Sequence, residues 1–301
     1  MVRARAFLIA AAVVLAACRA GEPAADLSPA QGPAQGPTSP EAPTTPAPPT
    51  TAASVAPPTA IPAGPPAIAD NPADLAAQLA STEAAIRNPA TPASALPGLG
   101  HTQQLAAGRL VTRPEWYDEV IARLPEPARS SVAANVAAGI DLRALVTGEP
   151  RPIPNWKIIA PPPAAELLNE YKSAEAATGV GWQYLAAIHL VESRMGRIRG
   201  DSSAGAQGPM QFLPSTWAAY GAGGDINSYH DSIHAAARYL KANGAPARMD
   251  SALFNYNRSN RYVRAITAYA GQMKADERAY LGYYHWQVYY FSAWLPEGYG
   301  S

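Results

Sequence analysis

Apolar residues recur at helical spacing along most of the chain that follows its N-terminal segment. Within residues 74–87, Leu75, Leu79 and Ile86 share one face of a helix. Segments of the same kind cover residues 102–110, 115–124 and 130–145. Prolines mark the breaks between them, and no constellation of chemical groups lies within them. The pattern predicts a helical accessory region over residues 68–150 that packs on the remaining chain or shapes one end of its cleft.

A second set of helical patterns follows a proline-rich break. Residues 150–163 contain six prolines, which exclude a regular helix, so we expect a domain boundary between residues 150 and 151. Residues 163–177 then predict a helix that leads into Gly179. Residues 231–240 predict a further helix with a buried apolar face. We therefore expect residues 151–301 to form a mainly helical domain.

One helix of this domain has an acidic residue on its apolar stripe. Trp182, Leu185, Ile188 and Glu192 follow one another at helical spacing, and Gly196 offers the left-handed backbone that ends helices. Glu192 therefore falls in the last turn. Apolar neighbours and the negative end of the helix dipole both raise the pKa of a carboxyl group there, which suits a general acid. The alternative is a carboxylate that points into solvent at the helix edge.

The end of the chain has a different pattern. Residues 286–291 alternate in the manner of a strand, and residues 294–295 pair back on it as a short β-hairpin. Aromatic residues are dense here and are able to stack on sugars, although packing against the helical body is the preferred interpretation. The fold class expected for the whole chain is mainly α, with a short C-terminal β-hairpin.

Composition excludes some functions. The chain has 23 Lys and Arg residues against 23 Asp and Glu residues, so its formal net charge is zero. No basic field favours nucleic acid, and we expect no nucleic-acid partner. Because Cys18 is the only cysteine, no intrachain disulfide is possible.

The N-terminal residues carry an export pattern. Arg3 and Arg5 precede an apolar run over residues 6–17, which is too short to span a bilayer, and Cys18 follows it directly. This arrangement resembles the bacterial lipoprotein signal. The resemblance implies that residues 1–17 are removed, that Cys18 is lipidated, and that the protein is an extracytoplasmic lipoprotein held at a membrane in the cell envelope. The alternative is an ordinary secretory signal with an incidental cysteine.

The segment after the cysteine has almost no large apolar residues. Residues 18–67 consist mostly of Pro, Ala, Thr and Gly, and cannot bury enough surface to offset the entropy of ordering. We predict a disordered tether of partly polyproline character. Such a tether would give the domain that follows reach from the membrane, or would serve only as a spacer above the lipid surface.

Three short motifs follow one another in the predicted second domain. Glu192-Ser193 ends the helix described above, Gly208-Pro209-Met210-Gln211 comes next, and Tyr256-Asn257 follows. This ordered set resembles the lytic transglycosylases, a lysozyme-like family that cleaves the glycan strands of peptidoglycan. The likeness is clearest over residues 164–269, and the N-terminal helical region and the aromatic tail resemble the lipoprotein-like branch of the family.

The resemblance implies a mechanism and a set of site residues. Glu192 would protonate the oxygen between N-acetylmuramic acid and N-acetylglucosamine and then act as a base, so that a 1,6-anhydro ring closes. The residues implied to bind substrate are Ser193, Met210, Gln211, Tyr256 and Asn257, and the hydroxyl of Tyr256 would also orient the proton of the acid. No metal or organic cofactor is implied. Pro209 stands where leucine is commoner in the family, and Arg258 replaces a small residue.

Other functions remain open from the sequence. A lysozyme-type muramidase would share the fold but use Asp201, Asp225 or Asp231 to activate water. A non-catalytic lipoprotein that binds peptidoglycan, or a tethered scaffold for wall synthases, would need no acid at all. We expect the protein to be a monomer.

Three histidines invite other roles. His230 and His234 are four residues apart, but Asp231 follows the first where a zinc protease motif has Glu, and no third ligand is evident. We therefore expect no metal there, and expect Asp231 to contribute to the cap of a helix. His189 lies one turn before Glu192, and a hydrogen-bonded structural histidine is the favoured interpretation.

Overall fold

Helices dominate the part of the chain that is described. The computed structural model describes residues 64–146 and 152–301, which form eleven α-helices, two 3-10 turns and two antiparallel strand pairs. The mainly α fold with a C-terminal hairpin is confirmed. No helix in these ranges combines the length and apolar character needed to cross a bilayer. The predicted signal, Cys18 and the tether up to residue 63 lie outside the described residues and stay predictions.

The first four helices form the predicted accessory region. They are α1 (Pro72–Arg87), α2 (Leu96–Thr112), α3 (Tyr117–Arg123) and α4 (Ala128–Arg143). Asn71 begins α1 by accepting a hydrogen bond from the amide of Asp74, which satisfies one of the free donors at the helix start. The buried side chains that hold these helices together include Leu75, Leu79, Leu110, Val120, Leu124 and Val132.

Seven helices build the second region, and one of them is buried among the others. They are α5 (Ala164–Thr178), α6 (Trp182–Ser193), α7 (Pro214–Tyr220), α8 (Tyr229–Ala242), α9 (Met249–Tyr256), α10 (Asn260–Ala275) and α11 (Ala279–Tyr284). The sequence predicted a single apolar stripe on α6. Instead, every side chain from Leu185 to Ser193 is buried, because α5, α8, α10 and α11 pack around it.

Two small antiparallel sheets pack together in one apolar cluster beside the helices. Strand β1 (Lys157–Ile158) pairs with β2 (Ile198–Arg199), and β3 (Val288–Tyr290) pairs with β4 (Ala293–Leu295). Val288 lies opposite Leu295, so both side chains enter an apolar cluster with Leu105 of α2. The preferred interpretation of the aromatic tail is confirmed, because Trp286 and Tyr289 are buried against the helical body.

The accessory region and the second region share a core along α4. Val132 and Val136 belong to the apolar cluster of the accessory region, whereas Ala138 and Leu142 belong to the cluster around α6. Farther along the chain, the hydroxyl of Tyr283 donates to Asn135 of α4 over 2.6 Å. The first four helices and the later ones therefore pack on each other along α4, and their division into two domains stays a prediction. The boundary between residues 150 and 151 lies outside the described residues and stays a prediction.

An ion-pair cluster also joins α4 to α10. Asp141 accepts hydrogen bonds from Arg264 Nη2 at 2.6 Å, from Arg264 Nε at 2.8 Å and from Arg261 Nη1 at 3.1 Å. The hydrogen bonds and charges of these two arginines, Arg264 first, lower the pKa of Asp141 below its usual value. The carboxylate of Asp141 thus holds the beginning of α10 against α4.

We predict that Asp141→Asn lowers the melting temperature at pH 7 by about 2–4 °C, the change expected when one modest interaction is lost in a domain of this size. A carboxyl group with a lowered folded-state pKa contributes stability above its unfolded pKa and loses it as the pH falls through the folded value. The difference between wild type and variant should therefore shrink towards pH 3 in a thermal unfolding series. Asp118→Asn, at an exposed position on α3, serves as the control. A difference that is equally large at pH 3 would contradict the assignment to the ion pairs.

Candidate active site

Glu192 lies in the last turn of α6, as the sequence predicted. The helix ends at Ser193 because Arg194 and Met195 already have positive φ angles, of 55° and 59°. Gly196, which was expected to end the helix alone, continues this left-handed path with a φ of 81°. A side chain on Gly196 would clash with the ring of Tyr229. The chain therefore turns away from Glu192 at once and leaves its carboxyl group at the end of a buried helix.

The carboxyl group of Glu192 is held in apolar surroundings. Glu192 is only 4% exposed, so the alternative of a solvent-facing carboxylate is wrong. The hydroxyl of Tyr262 donates a hydrogen bond to Glu192 Oε1 over 2.8 Å. Burial raises the pKa of Glu192 from 4.5 to about 8, and the hydrogen bond from Tyr262 opposes that rise. The carboxyl group is accordingly protonated at neutral pH.

The tyrosine on this acid is one that sequence reasoning missed. Tyr256 was expected to orient the proton of the acid, but the hydroxyl on Glu192 belongs to Tyr262 of α10. Tyr262, Ile266 and Tyr269 recur at helical spacing and are all buried. This spacing was a signal in the sequence that Tyr262 faces the core.

The Gly-Pro-Met-Gln motif forms a tight turn. Gln207 and Phe212 pair across it through two backbone hydrogen bonds, each of 2.9 Å. Gly208 has a φ of 73°, and a side chain there would clash with the carbonyl oxygen of Ile226, so only glycine fits. Gln211 also has a positive φ, of 53°, and its Nε2 donates to the Gly208 carbonyl over 2.9 Å. Its Oε1 is buried and has no hydrogen-bond partner within the described residues.

Contacts between the three motifs join them in a closed circuit. Ser193 Oγ donates to the carbonyl of Pro209 over 2.5 Å, and Tyr256 donates to the carbonyl of Met210 over 2.7 Å. The rings of Tyr256 and Tyr262 are parallel within 4°, with centroids 6.4 Å apart. We call this set the contact ring, and its members are Glu192, Tyr262, Tyr256, Met210, Pro209 and Ser193. The position of the acid is thus fixed by the same turn that presents Gln211.

The predicted substrate-binding residues differ in exposure. Ser193 and Met210 are fully buried, so their side chains support the turn and have no face open to a ligand in this structure. Gln211 and Tyr256 line one cleft, together with Phe212, Leu213, Thr216 and Tyr239. Asn257 follows directly at the end of α9 and is 8% exposed. The structure therefore brings Gln211 and Tyr256 to one opening, and the binding roles stay predictions.

The other carboxylates considered from the sequence lie in turns or at the start of a helix, and none of them is buried. Asp201 is exposed and accepts a hydrogen bond from Gln207 over 3.3 Å. Asp225 is exposed as well. Asp231 accepts from the backbone amide of Asp225, while the side chain that caps α8 is that of Ser228. Asp231 therefore stabilises the turn before α8 without being the capping residue itself.

His189 has the structural role that the sequence favoured. It is fully buried, and its Nδ1 lies 2.6 Å from the hydroxyl of Tyr171. Burial lowers the pKa of His189 to about 3, so the imidazole is neutral. His189 thus braces the middle of α6 against α5.

Residues 170–279 match the family model described as the transglycosylase SLT domain. This range runs from α5 to the start of α11 and contains all three motifs. Residues 170–279 therefore belong to the SLT family of lysozyme-like lytic transglycosylases. The match supports a transglycosylase-type enzyme that acts on peptidoglycan. Searches of curated proteins and of solved structures gave no match.

We predict that Glu192→Gln stabilises the fold at alkaline pH. Between pH 4.5 and about 8 the folded state keeps a proton that the unfolded state releases, so the wild type loses stability as the pH rises through this window. Glutamine has no proton to lose and still accepts the hydrogen bond from Tyr262. At pH 8 the variant should be more stable by on the order of 3 kcal/mol, and at pH 4.5 nearly equal. Chemical denaturation across this range measures the difference, and a pH-independent gap would contradict the raised pKa.

Proposed function

We propose that this protein cleaves the β-1,4 bond between N-acetylmuramic acid and N-acetylglucosamine in peptidoglycan without water. Its product would carry a 1,6-anhydromuramoyl end. The observation that carries the proposal is the buried carboxyl group of Glu192, which is protonated at neutral pH and held by Tyr262. The family match over residues 170–279 supports the substrate class.

In the first step Glu192 acts as a general acid. Because Tyr262 donates to Oε1, the carboxyl proton is expected on Oε2. Oε2–H gives its proton to the glycosidic oxygen, the C1–O bond breaks, and the N-acetylglucosamine portion leaves with a free 4-hydroxyl. Positive charge develops at C1 of the muramoyl ring, where the N-acetyl oxygen is able to assist.

In the second step Glu192 acts as a general base. Its carboxylate takes the proton of the muramoyl 6-hydroxyl, and O6 forms a bond to C1, which closes the anhydro ring. Glu192 ends protonated, as it began, so protons balance and no water is consumed. Burial favours the acid form and the hydrogen bond from Tyr262 favours the carboxylate, so a buried group can serve in both steps.

Gln211, Tyr256 and Asn257 are the residues we assign to the sugar. The unpaired Oε1 of Gln211 is an acceptor suited to the N–H of an N-acetyl group. Tyr256 lines the same cleft, and its ring offers an apolar face to a sugar. Ser193 and Met210 would act indirectly, through the contact ring, by holding the Gly208–Gln211 turn.

Hydrolytic and non-catalytic functions have weaker support. A muramidase needs a second carboxylate about 5 Å or 6.5–9.5 Å from the acid, whereas Asp201 and Asp225 are exposed in turns of their own. A protein that only binds peptidoglycan gains nothing from burying an acid at the end of a helix, which costs stability above pH 4.5.

We also propose that the enzyme works outside the cytoplasm as a monomer anchored through lipid on Cys18. The arginines at positions 3 and 5, the apolar residues 6–17 and the single cysteine support this. The Pro-, Ala- and Thr-rich residues that follow would give the enzyme reach from the membrane into the wall.

Glu192→Gln should lower turnover of purified glycan strands by about 1,000-fold or more, because it removes the only acid and base of the mechanism. Mass spectrometry of the wild-type products should find ends that lack one water relative to hydrolytic products. Glu166→Gln, which changes an exposed glutamate on α5, should behave as wild type. Wild-type products with reducing ends alone would contradict the non-hydrolytic mechanism, and near-normal turnover by Glu192→Gln would contradict the acid.

Tyr262→Phe should lower turnover by about 10- to 100-fold, the cost of losing one hydrogen bond to a carboxylate that forms during the reaction. Since that bond lowers the pKa of Glu192, the alkaline fall in activity should also move to higher pH in the variant. Tyr284→Phe removes a hydroxyl that binds the carbonyl of Pro162, and it is the matched control. Equal pH profiles for Tyr262→Phe and wild type would show that Tyr262 does not set the pKa of the acid.

A further inference from the structure

Two histidines and a glutamate meet where α5 packs against α8. His230 and His234 are one helical turn apart on α8, with ring centroids 4.3 Å from each other. Glu170 comes from α5, and its Oε2 lies 2.7 Å from His230 Nδ1 and 3.8 Å from His234 Nε2. One ligand atom from each residue falls within 4.8 Å of the other two. Three side chains of the types that ligate metals thus lie together at the surface of the domain.

We propose that Glu170, His230 and His234 bind a divalent transition-metal ion of the zinc type. Two imidazole nitrogens and one carboxylate oxygen form a ligand set that Zn²⁺ accepts in sites where solvent takes the fourth position. The fourth position would face water here, because the side chain of His230 is 60% exposed.

The distances are compatible with tetrahedral coordination. Metal–ligand bonds of about 2.0–2.2 Å separate the ligand atoms of a tetrahedron by about 3.4 Å. The separations of 2.7 Å and 3.8 Å lie on either side of that value. Small rotations of Glu170 and His230 would reach it, since the side chain of Glu170 is 34% exposed and that of His230 is 60% exposed.

The buried ring nitrogen of His234 is an independent observation that points to a bound ligand. Its side chain is 15% exposed, and its Nε2 is buried without a hydrogen-bond partner within the described residues. A buried nitrogen in that state loses its hydrogen bond to water without forming another, because the oxygen of Glu170 at 3.8 Å is beyond hydrogen-bond distance. A metal ion held between His234 and Glu170 would satisfy it.

The sequence predicted no metal here because the third ligand is remote. Glu170 lies 60 positions before His230, and only the packing of α5 on α8 brings them together. The sequence alone shows two histidines four residues apart and no third ligand near them.

Bound metal would brace the end of α6 from two sides. The residue after Glu170 is Tyr171, which contacts His189, and the residue before His230 is Tyr229, whose hydroxyl donates to the Gly196 carbonyl over 3.1 Å. An ion that ties α5 to α8 would therefore stabilise the turn after Glu192. The ligands lie outside the contact ring, so this inference does not depend on the proposed reaction.

Isothermal titration with ZnCl₂ tests the site on the full-length chain, purified without a polyhistidine tag and dialysed against chelator. Wild type should bind one Zn²⁺ per chain, and saturating Zn²⁺ should raise its melting temperature by about 5 °C or more. His230→Ala, His234→Ala and Glu170→Gln should each weaken binding at least about tenfold. Glu166→Gln, one turn earlier on α5, should bind as wild type does.

Absence of saturable Zn²⁺ binding by wild type would overturn the proposal. So would an unchanged affinity in His234→Ala, because the ion would then be held elsewhere, for example at Cys18. Circular dichroism of the metal-free variants checks that each is folded. Because His230 is mostly exposed, loss of binding by His230→Ala cannot be ascribed to a collapsed core.

Discussion

The structure depends on keeping one carboxyl group out of water. Glu192 lies at the end of α6, where every side chain from Leu185 onwards is buried, and this burial raises the pKa of its carboxyl group. The hydroxyl of Tyr262 offsets part of that effect by favouring the carboxylate. A pKa of about 8 results from the balance of these two influences, and it suits a group that must give and then regain a proton.

The remainder of the domain serves to hold this carboxyl group in position. The contact ring links the end of α6 to the Gly208–Gln211 turn and to α9 and α10 through backbone carbonyls and stacked tyrosines. The accessory region contributes as well, because Asp141 of α4 binds arginines on both sides of Tyr262. The accessory helices therefore help to hold the tyrosine that tunes the acid, although they carry no chemical motif of their own.

Local signals in the sequence predicted the helices, the hairpin and the position of Glu192. Gly179 and the prolines that separate helices act through their own backbone geometry. Their effects can therefore be predicted from the sequence without knowledge of the fold. Tyr262 and Glu170 were missed for a different reason. Each meets its partner, 70 and 60 positions away respectively, only through the packing of one helix against another. Tyr256 was expected to orient the acid because it belongs to the Tyr-Asn motif of the family resemblance, whereas Tyr262, six positions later, belongs to none of the three motifs.

A direct titration of Glu192 tests the central claim. The carboxyl carbon of glutamate labelled with ¹³C is to be followed by NMR between pH 3 and 10, with Glu192→Gln used to assign the resonance. We expect a titration near pH 8 that moves higher in Tyr262→Phe. A titration near 4.5, the value for a glutamate in water, would contradict the account.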